Sequence, residues 1–189
     1  MPEYFLDQNY NTIFYQEEEL NFKEFEACIF TNCDFTQCNF KAITFIDCTF
    51  TNCNFNNANI NHVAFRTVYF NQCQIIDVNF AMTDKFIFEI HFKDCILDFS
   101  KFYALKMKGT TFTNCSLIAV DFMQTDLTAV SFTNCDLYRA EFDKATANKV
   151  DFSTSRNYTI NPKTTKLKKA VFSLEYLKGL LFKHDVIVE

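Results

Sequence analysis

The feature that most constrains this chain is a run of large apolar residues spaced by five. Phe25, Phe30, Phe35, Phe40, Phe45, Phe50, Phe55, Ile60, Phe65, Phe70, Ile75 and Phe80 follow one another at that interval. A helix of period 3.6 or a flat strand of period 2 would scatter such a series around its surface. A second series resumes the period two residues late: Ile87, Phe92, Leu97, Phe102, Met107, Phe112, Leu117, Phe122, Leu127, Phe132, Leu137, Phe142, Ala147 and Phe152. Two positions before each member stands a second, mostly smaller set, as in Cys28, Cys33, Cys38 and Ile43, or in Val120, Thr125, Val130 and Cys135. Two inward side chains in every five residues predict a chain that turns a corner every five residues. Four such sides close a square of twenty.

The twenty-residue repeat is visible independently. Phe30-Thr31-Asn32-Cys33 returns as Phe50-Thr51-Asn52-Cys53, Phe70-Asn71-Gln72-Cys73, Phe92-Lys93-Asp94-Cys95, Phe112-Thr113-Asn114-Cys115 and Phe132-Thr133-Asn134-Cys135. The separations are 20, 20, 22, 20 and 20, which places a two-residue insertion between Phe80 and Ile87. Self-similarity at this period marks a solenoid whose coils stack about 4.8 Å apart. The predicted fold is therefore an all-β solenoid, a quadrilateral β-helix over 20–152 with a phase break at 81–87. Phe and Cys columns fill its interior. The outward Asn32, Asn52 and Gln72, and later Asn114 and Asn134, are expected to stack as amide ladders.

An open solenoid needs both ends covered. Residues 1–19 read as an irregular N-terminal cap, because Phe5, Tyr10 and Tyr15 extend the period only faintly and Glu17-Glu18-Glu19 interrupts it. Residues 153–189 read as a C-terminal cap and dimerisation segment, since Asn157 and Pro162 fall where the ladder should be apolar. Within it, 173–182 has the pattern of a short helix, with Ser173 as N-cap and Leu174, Leu177 and Leu181 on one face beside Tyr176 and Leu180. That face is expected to cover the last coil, to join a second subunit, or both. The tail Asp185-Val186-Ile187-Val188 would add a dimer contact.

Composition removes several functional classes. With 25 Phe, no Trp, 2 Gly and 2 Pro, the chain lacks the loop punctuation of a β-sandwich or a doubly wound sheet. It has no apolar run of membrane-spanning length and no basic-then-apolar export signal at its start, so the expectation is a cytoplasmic protein without membrane contact. The nine Cys are then expected as free thiols. A column of Cys33, Cys53, Cys73, Cys95, Cys115 and Cys135 runs in a line and does not converge on one ion, so it reads as core filling, with no metal or cofactor. His62, His91 and His184 stand far apart, and Gly109 and Gly179 cannot make a phosphate loop. A solid core also offers no pocket, so the chain reads as no enzyme.

What is left is surface. Glu24, Asp34, Asp121, Asp126, Asp136, Glu141 and Asp151 each stand one position before a repeat centre, face outward, and form the candidate partner-binding set. The formal charge is -5, distributed as -7 over 1–80, -2 over 81–152 and +4 over 153–189. No Arg/Lys stripe crosses the main body, which argues against direct binding of nucleic acid. Lys163, Lys166, Lys168 and Lys169 fall outside the acidic set and are read as balancing the cap or touching acidic protein.

From about Leu20 to Phe152 this pattern resembles the pentapeptide repeat family, which implies a right-handed quadrilateral β-helix. Within that family the likeness is to the quinolone-resistance proteins and to the microcin B17 immunity type. It rests on the single-domain rod, the phase break near Met82 to Ile87, Ile160-Asn161-Pro162, and Lys168-Lys169-Ala170-Val171-Phe172-Ser173 before the cap. The resemblance implies a homodimer through the C-terminal ends and an acidic rod that imitates DNA. Such a rod would bind DNA gyrase or topoisomerase IV, so that a topoisomerase poison loses its hold. Quinolone-resistance members project a long loop on which protection depends, whereas only about two extra residues fit between Phe80 and Ile87 here. The competing class is a non-enzymatic scaffold or adaptor for an unrelated partner.

Overall fold

The computed structural model describes residues 2–13 and 20–182. Tyr15, Glu17-Glu18-Glu19, His184 and the tail 185–188 lie outside the described residues. The chain winds as a four-sided β-solenoid. On the first face run β1 (Glu3–Leu6), β3 (Lys23–Glu26), β5 (Thr44–Ile46) and β7 (Ala64–Arg66), paired in that order. On the second face run β2 (Asn9–Asn11), β4 (Ile29–Thr31), β6 (Thr49–Thr51), β8 (Val68–Asn71), β9 (Ile90–Lys93), β10 (Thr111–Thr113) and β11 (Ser131–Thr133). Every pairing is parallel and places equivalent repeat positions side by side, as in Phe25 with Phe45 and Phe30 with Phe50. The third and fourth faces are joined by one bridge per coil, such as Asp34 with Asn54 and Asp121 with Glu141.

The expected interior columns are present. Phe35, Phe55 and Ile75 are buried in one column and Phe30, Phe50 and Phe70 in the next. Phe30 stacks on Phe50 at 4.7 Å between ring centroids, and Phe50 on Phe70 at 5.1 Å. Neighbouring columns meet edge to face, as Phe50 meets Phe55 at 5.1 Å. Offset stacks within a column and edge contacts between columns are the favoured aromatic geometries, so one ring type fills the whole square.

The second inward position has its own chemistry. Its thiols point at the carbonyl of a ladder residue in the coil before: Cys48 Sγ lies 3.4 Å from the Phe25 oxygen and Cys53 Sγ 3.4 Å from that of Phe30. Hydroxyls in the same slot donate likewise, Ser100 to Ile75 at 2.6 Å and Thr125 to Phe102 at 2.8 Å. A small side chain with a donor both fills this slot and satisfies a buried acceptor.

Most corners end in a residue with φ near +50° to +63°. There are 28 such non-glycine corner positions among the described residues, and Gly109 is the one glycine with positive φ. The left-handed conformation costs about 1–2 kcal/mol per residue with a Cβ. Burial of a ring contributes roughly 1.5–3 kcal/mol per ladder position. The corners are therefore held by what they bury, which is why so few glycines suffice.

Three expectations are corrected. Residues 2–13 are no irregular cap: Phe5 pairs with Phe25 and Tyr10 with Phe30, so the solenoid already runs at Glu3. The insertion also falls later than the ladder count implied. Asp84 N still bonds the Val63 oxygen at 2.9 Å, the same offset as Ala64 N to the Ile43 oxygen one coil earlier, whereas Val68 pairs with Ile90, twenty-two on. Ile87 is 57% exposed at a left-handed corner, and Phe88 packs against the core in its place. At the other end the ladder continues beyond Phe152. After an excursion through Asn157 and Pro162, Asp151 bridges Val171 and Phe172 stacks on Phe152 at 5.1 Å.

Candidate partner-binding surface

The acidic residues before each ladder position are held by the backbone. Asp121 Oδ1 accepts from Met123 N at 2.8 Å, Asp126 Oδ1 from Thr128 N at 3.0 Å, and Asp151 Oδ1 from Ser153 N at 2.8 Å. Asp34 and Asp136 do the same to Thr36 N and Tyr138 N. Asn54 and Asn59 fill the identical role at 3.0 and 3.1 Å. A short side chain with an acceptor two residues ahead of an N–H caps the corner as an Asx turn. Five of the seven candidate acids are thus turn caps whose second oxygen is left toward the surface.

The seven do not form one patch. Glu24 and Asp126 lie on the first face, Asp151 on the second, Asp34 and Asp136 on the third, and Asp121 and Glu141 on the fourth. Several have basic neighbours: Lys101 bridges Asp121, Lys106 bridges Asp126, and Arg156 Nε donates to Asp136 Oδ2 at 3.2 Å. The acids brought together are Asp121 and Glu141 on adjacent coils, with Asp143 one step past Phe142. Asp143 escaped the sequence reading because it follows a ladder residue, where the repeat carries no acidic pattern. Beside them lies an exposed apolar band, Ile96, Phe99, Tyr103 and Tyr138, across the third and fourth faces.

The cysteines are core. All nine are free and buried. Burial pushes the Cys48 thiol up to about 12. Thiol contacts with Cys53 and Cys95, then burial, hold Cys73 far above the thiol range, and contacts with Cys135 and Cys95 do the same to Cys115. Among the described residues no three His, Cys, Asp or Glu side chains gather as a metal would need, and no helix is long and apolar enough to cross a membrane. His91 stacks on Tyr69 at 5.0 Å, and its Nδ1 lies 2.9 Å from Thr111 Oγ1.

The short C-terminal helical cap is present, reduced from 173–182 to a single 3-10 segment, Leu177–Leu180, set among turns, and Ser173 Oγ accepts from Tyr176 N at 3.4 Å. Tyr176 and Leu180 pack against the core, while Leu174, Leu177 and Leu181 are exposed, Leu174 at 90%. The segment is fastened by Ile160 N, which bonds the Gly179 oxygen at 3.1 Å. A Cβ at Gly179 would collide with the Tyr158 carbonyl oxygen, and this close approach is why a glycine stands there.

With a five-residue ladder, capped corners and four faces in place, the comparison that decides the family is a sequence one: a pentapeptide repeat region matches residues 23–84 and 86–161. The chain belongs to the pentapeptide repeat family. The gap in the match at 85 coincides with the insertion. Two trypsin-treated structures of QnrB1, described as a plasmid-mediated fluoroquinolone resistance protein, are similar at TM-scores of 0.54 and 0.53 and 15% identity. They cover 100% and 98% of this chain and 98% and 99% of their own. HetL, a pentapeptide repeat protein involved in heterocyst differentiation regulation in the cyanobacterium Nostoc, reaches a TM-score of 0.47 at 10% identity, covering 90% of this chain and 84% of its own. No curated protein sequence matches the chain.

Proposed function

We propose that this pentapeptide repeat protein is a non-enzymatic rod that occupies the DNA-binding surface of gyrase or topoisomerase IV and weakens the hold of a topoisomerase poison. The reading places it in the cytoplasm with its target. The observation that carries it is a cluster of outward carboxylates on adjacent coils, one of them fixed as a turn cap. Asp121, Glu141 and Asp143 stand on a frame that repeats about every 4.8 Å, and the Asp121 cap keeps its free oxygen outward without a further entropy cost. The end-to-end likeness in fold to a fluoroquinolone resistance protein supports the same reading. Under it the exposed leucines Leu174, Leu177 and Leu181 serve an end-to-end homodimer.

The test is supercoiling and poison-induced cleavage by gyrase, with and without the protein, at low and high salt. Asp121→Asn, Glu141→Gln and Asp143→Asn together remove charge but keep every side-chain acceptor. Three exposed charges at roughly 0.5 kcal/mol each predict about tenfold weaker binding at low salt, and little difference at high salt. No effect of the unaltered protein on gyrase would overturn the proposal. The adaptor reading is favoured by the band Ile96, Phe99, Tyr103 and Tyr138, and it predicts binding indifferent to those charges.

A further inference from the structure

We infer that the first face of the solenoid pairs with the first face of a second copy, the two rods antiparallel about a twofold axis lying across them between the coils of Ile87 and Gly109. The charges on this face carry the inference. Coil by coil from Glu24 the net sign runs negative (Glu24, Glu26, with Lys23 ion-paired to Glu3 at 3.5 Å), negative (Asp47), positive (Arg66) and negative (Asp84 and Glu89 around Lys85). It continues positive (Lys106, Lys108), negative (Asp126), positive (Lys149) and positive (Lys166, Lys168, Lys169). Reversed end for end, every coil meets one of opposite sign.

The columns match as well as the coils. A twofold axis across the rods reverses coil order but keeps each column opposite its own kind. Glu24 then faces Lys166, both immediately before a ladder position. Glu26 faces Lys168, both immediately after one. Asp47 faces Lys149, both at left-handed corners with φ of 50° and 58°. Arg66 lies opposite the coil of Asp126.

Ile87, at a left-handed position within the insertion, lies in the coil that faces the coil of Gly109, and here a second observation bears on the pairing. The backbone does not require glycine at residue 109, since 28 other positions among the described residues carry side chains at positive φ. Apart from its chain neighbours, nothing lies within 4 Å of where a Gly109 Cβ would stand, so the backbone there is open to close approach by a partner. Beside the axis the partner presents Phe86 and Ile87, exposed at 68% and 57%. An apolar centre with charged flanks is the usual anatomy of a specific interface.

The paired length is seven coil steps, about 34 Å at roughly 4.8 Å each. With a side about 16 Å wide, five residues at roughly 3.3 Å each, the pairing buries about 1,100 Å² in total, the lower end for a specific interface. The dimer is therefore reversible and salt-sensitive, and it is independent of any topoisomerase.

The experiment is sedimentation equilibrium of the intact protein with zero-length carbodiimide cross-linking. Within one chain Glu24 and Lys166 are about 34 Å apart by coil count, so a Glu24–Lys166 amide can only join two copies. The full chain carrying Leu177→Glu and Leu181→Glu is used, so that the end-to-end contact of the exposed leucines does not contribute. The expected result is a mass near twice 22.2 kDa at low salt, falling toward the monomer at about 1 M salt, with that amide found by mass spectrometry. On the same background Glu24→Lys with Glu26→Lys and Asp47→Lys, and separately Lys149→Glu with Lys166→Glu and Lys168→Glu, should each be monomeric alone and form a dimer when mixed. A monomer at low salt on that background would overturn the inference, and so would a dimer that lacks the Glu24–Lys166 link.

Discussion

Asp34, Asp121, Asp126, Asp136 and Asp151 occupy one slot of the repeat, and in each the same oxygen accepts the N–H two residues on. Charge is not what that slot selects, since Asn54 and Asn59 make the same bond. Asp126→Asn should therefore change stability by less than about 0.5 kcal/mol, whereas Asp126→Ala should cost about 1 kcal/mol, the usual value of a lost cap. Urea midpoints would show this, and equal losses in the two variants would mean that charge is the stabilising part. The inner slot makes a second prediction. Folded Cys48 keeps its proton to about pH 12, while the unfolded chain releases it near the ordinary thiol value of 9.0. Its contribution is therefore unchanged below pH 9, and stability falls as pH rises from 9 toward 12, because the unfolded state then binds fewer protons. Cys48→Ser keeps a donor and removes the titration, so its urea midpoint should fall less steeply between pH 8 and 11.

At the scale of elements the coil was legible and its ends were not. Twelve uninterrupted members of one series expose a five-residue period directly. Phe5, Tyr10 and Tyr15 are only three members before an acidic run, so β1 and β2 could not be told from a cap, and only their pairing with β3 and β4 reveals them. Leu167 and Phe172 stand in the same phase as Phe152 but are separated from it by Asn157 and Pro162, where the chain leaves the ladder and returns. The helical cap after Phe172 was legible from leucines three and four apart, but its length was not, since turns share that spacing and only Leu177–Leu180 is helical. Gly179 carried the missing information, since it lets the chain touch Tyr158. Gly179→Ala should accordingly cost about 2–3 kcal/mol, in the upper range for a single change. It should also leave the far end intact, because repeat interfaces act between neighbours. Hydrogen exchange should show protection lost around Ile160 and Phe172 and kept around Phe50; an unchanged melting temperature would mean that the cap is not docked as described.

At the scale of the whole molecule the solenoid is two regular stacks joined by an insertion, and the joint can be tested by removing it. Thr83 is buried in the small inward slot, and Asp84 Oδ1 caps the next turn by accepting from Phe86 N at 2.7 Å, so the coil enters the insertion in correct repeat form. It leaves in correct form at Ile90, which is buried and paired with Val68. Five residues lie between Asp84 and Ile90, where the repeat needs three. Deleting Lys85 and Phe86 would restore twenty-residue spacing and place Ile87 at the ladder position between Phe65 and Met107. Burying its side chain is worth roughly 1.5–3 kcal/mol, but the same shift turns Phe88 from its packing against the core to an outward position, which offsets much of that gain, and removes the Arg66 contact over the Phe86 ring, 5.9 Å away and worth about 0.5–1 kcal/mol at an exposed site. The shortened protein should therefore fold, melt in one transition, and lie within about 1 kcal/mol of the parent in stability. Calorimetry and urea unfolding of the two chains decide this. A loss of stability would mean that the insertion relieves a mismatch between the stacks, whereas a gain would mean that the chain keeps two exposed apolar residues at its middle for a reason other than folding.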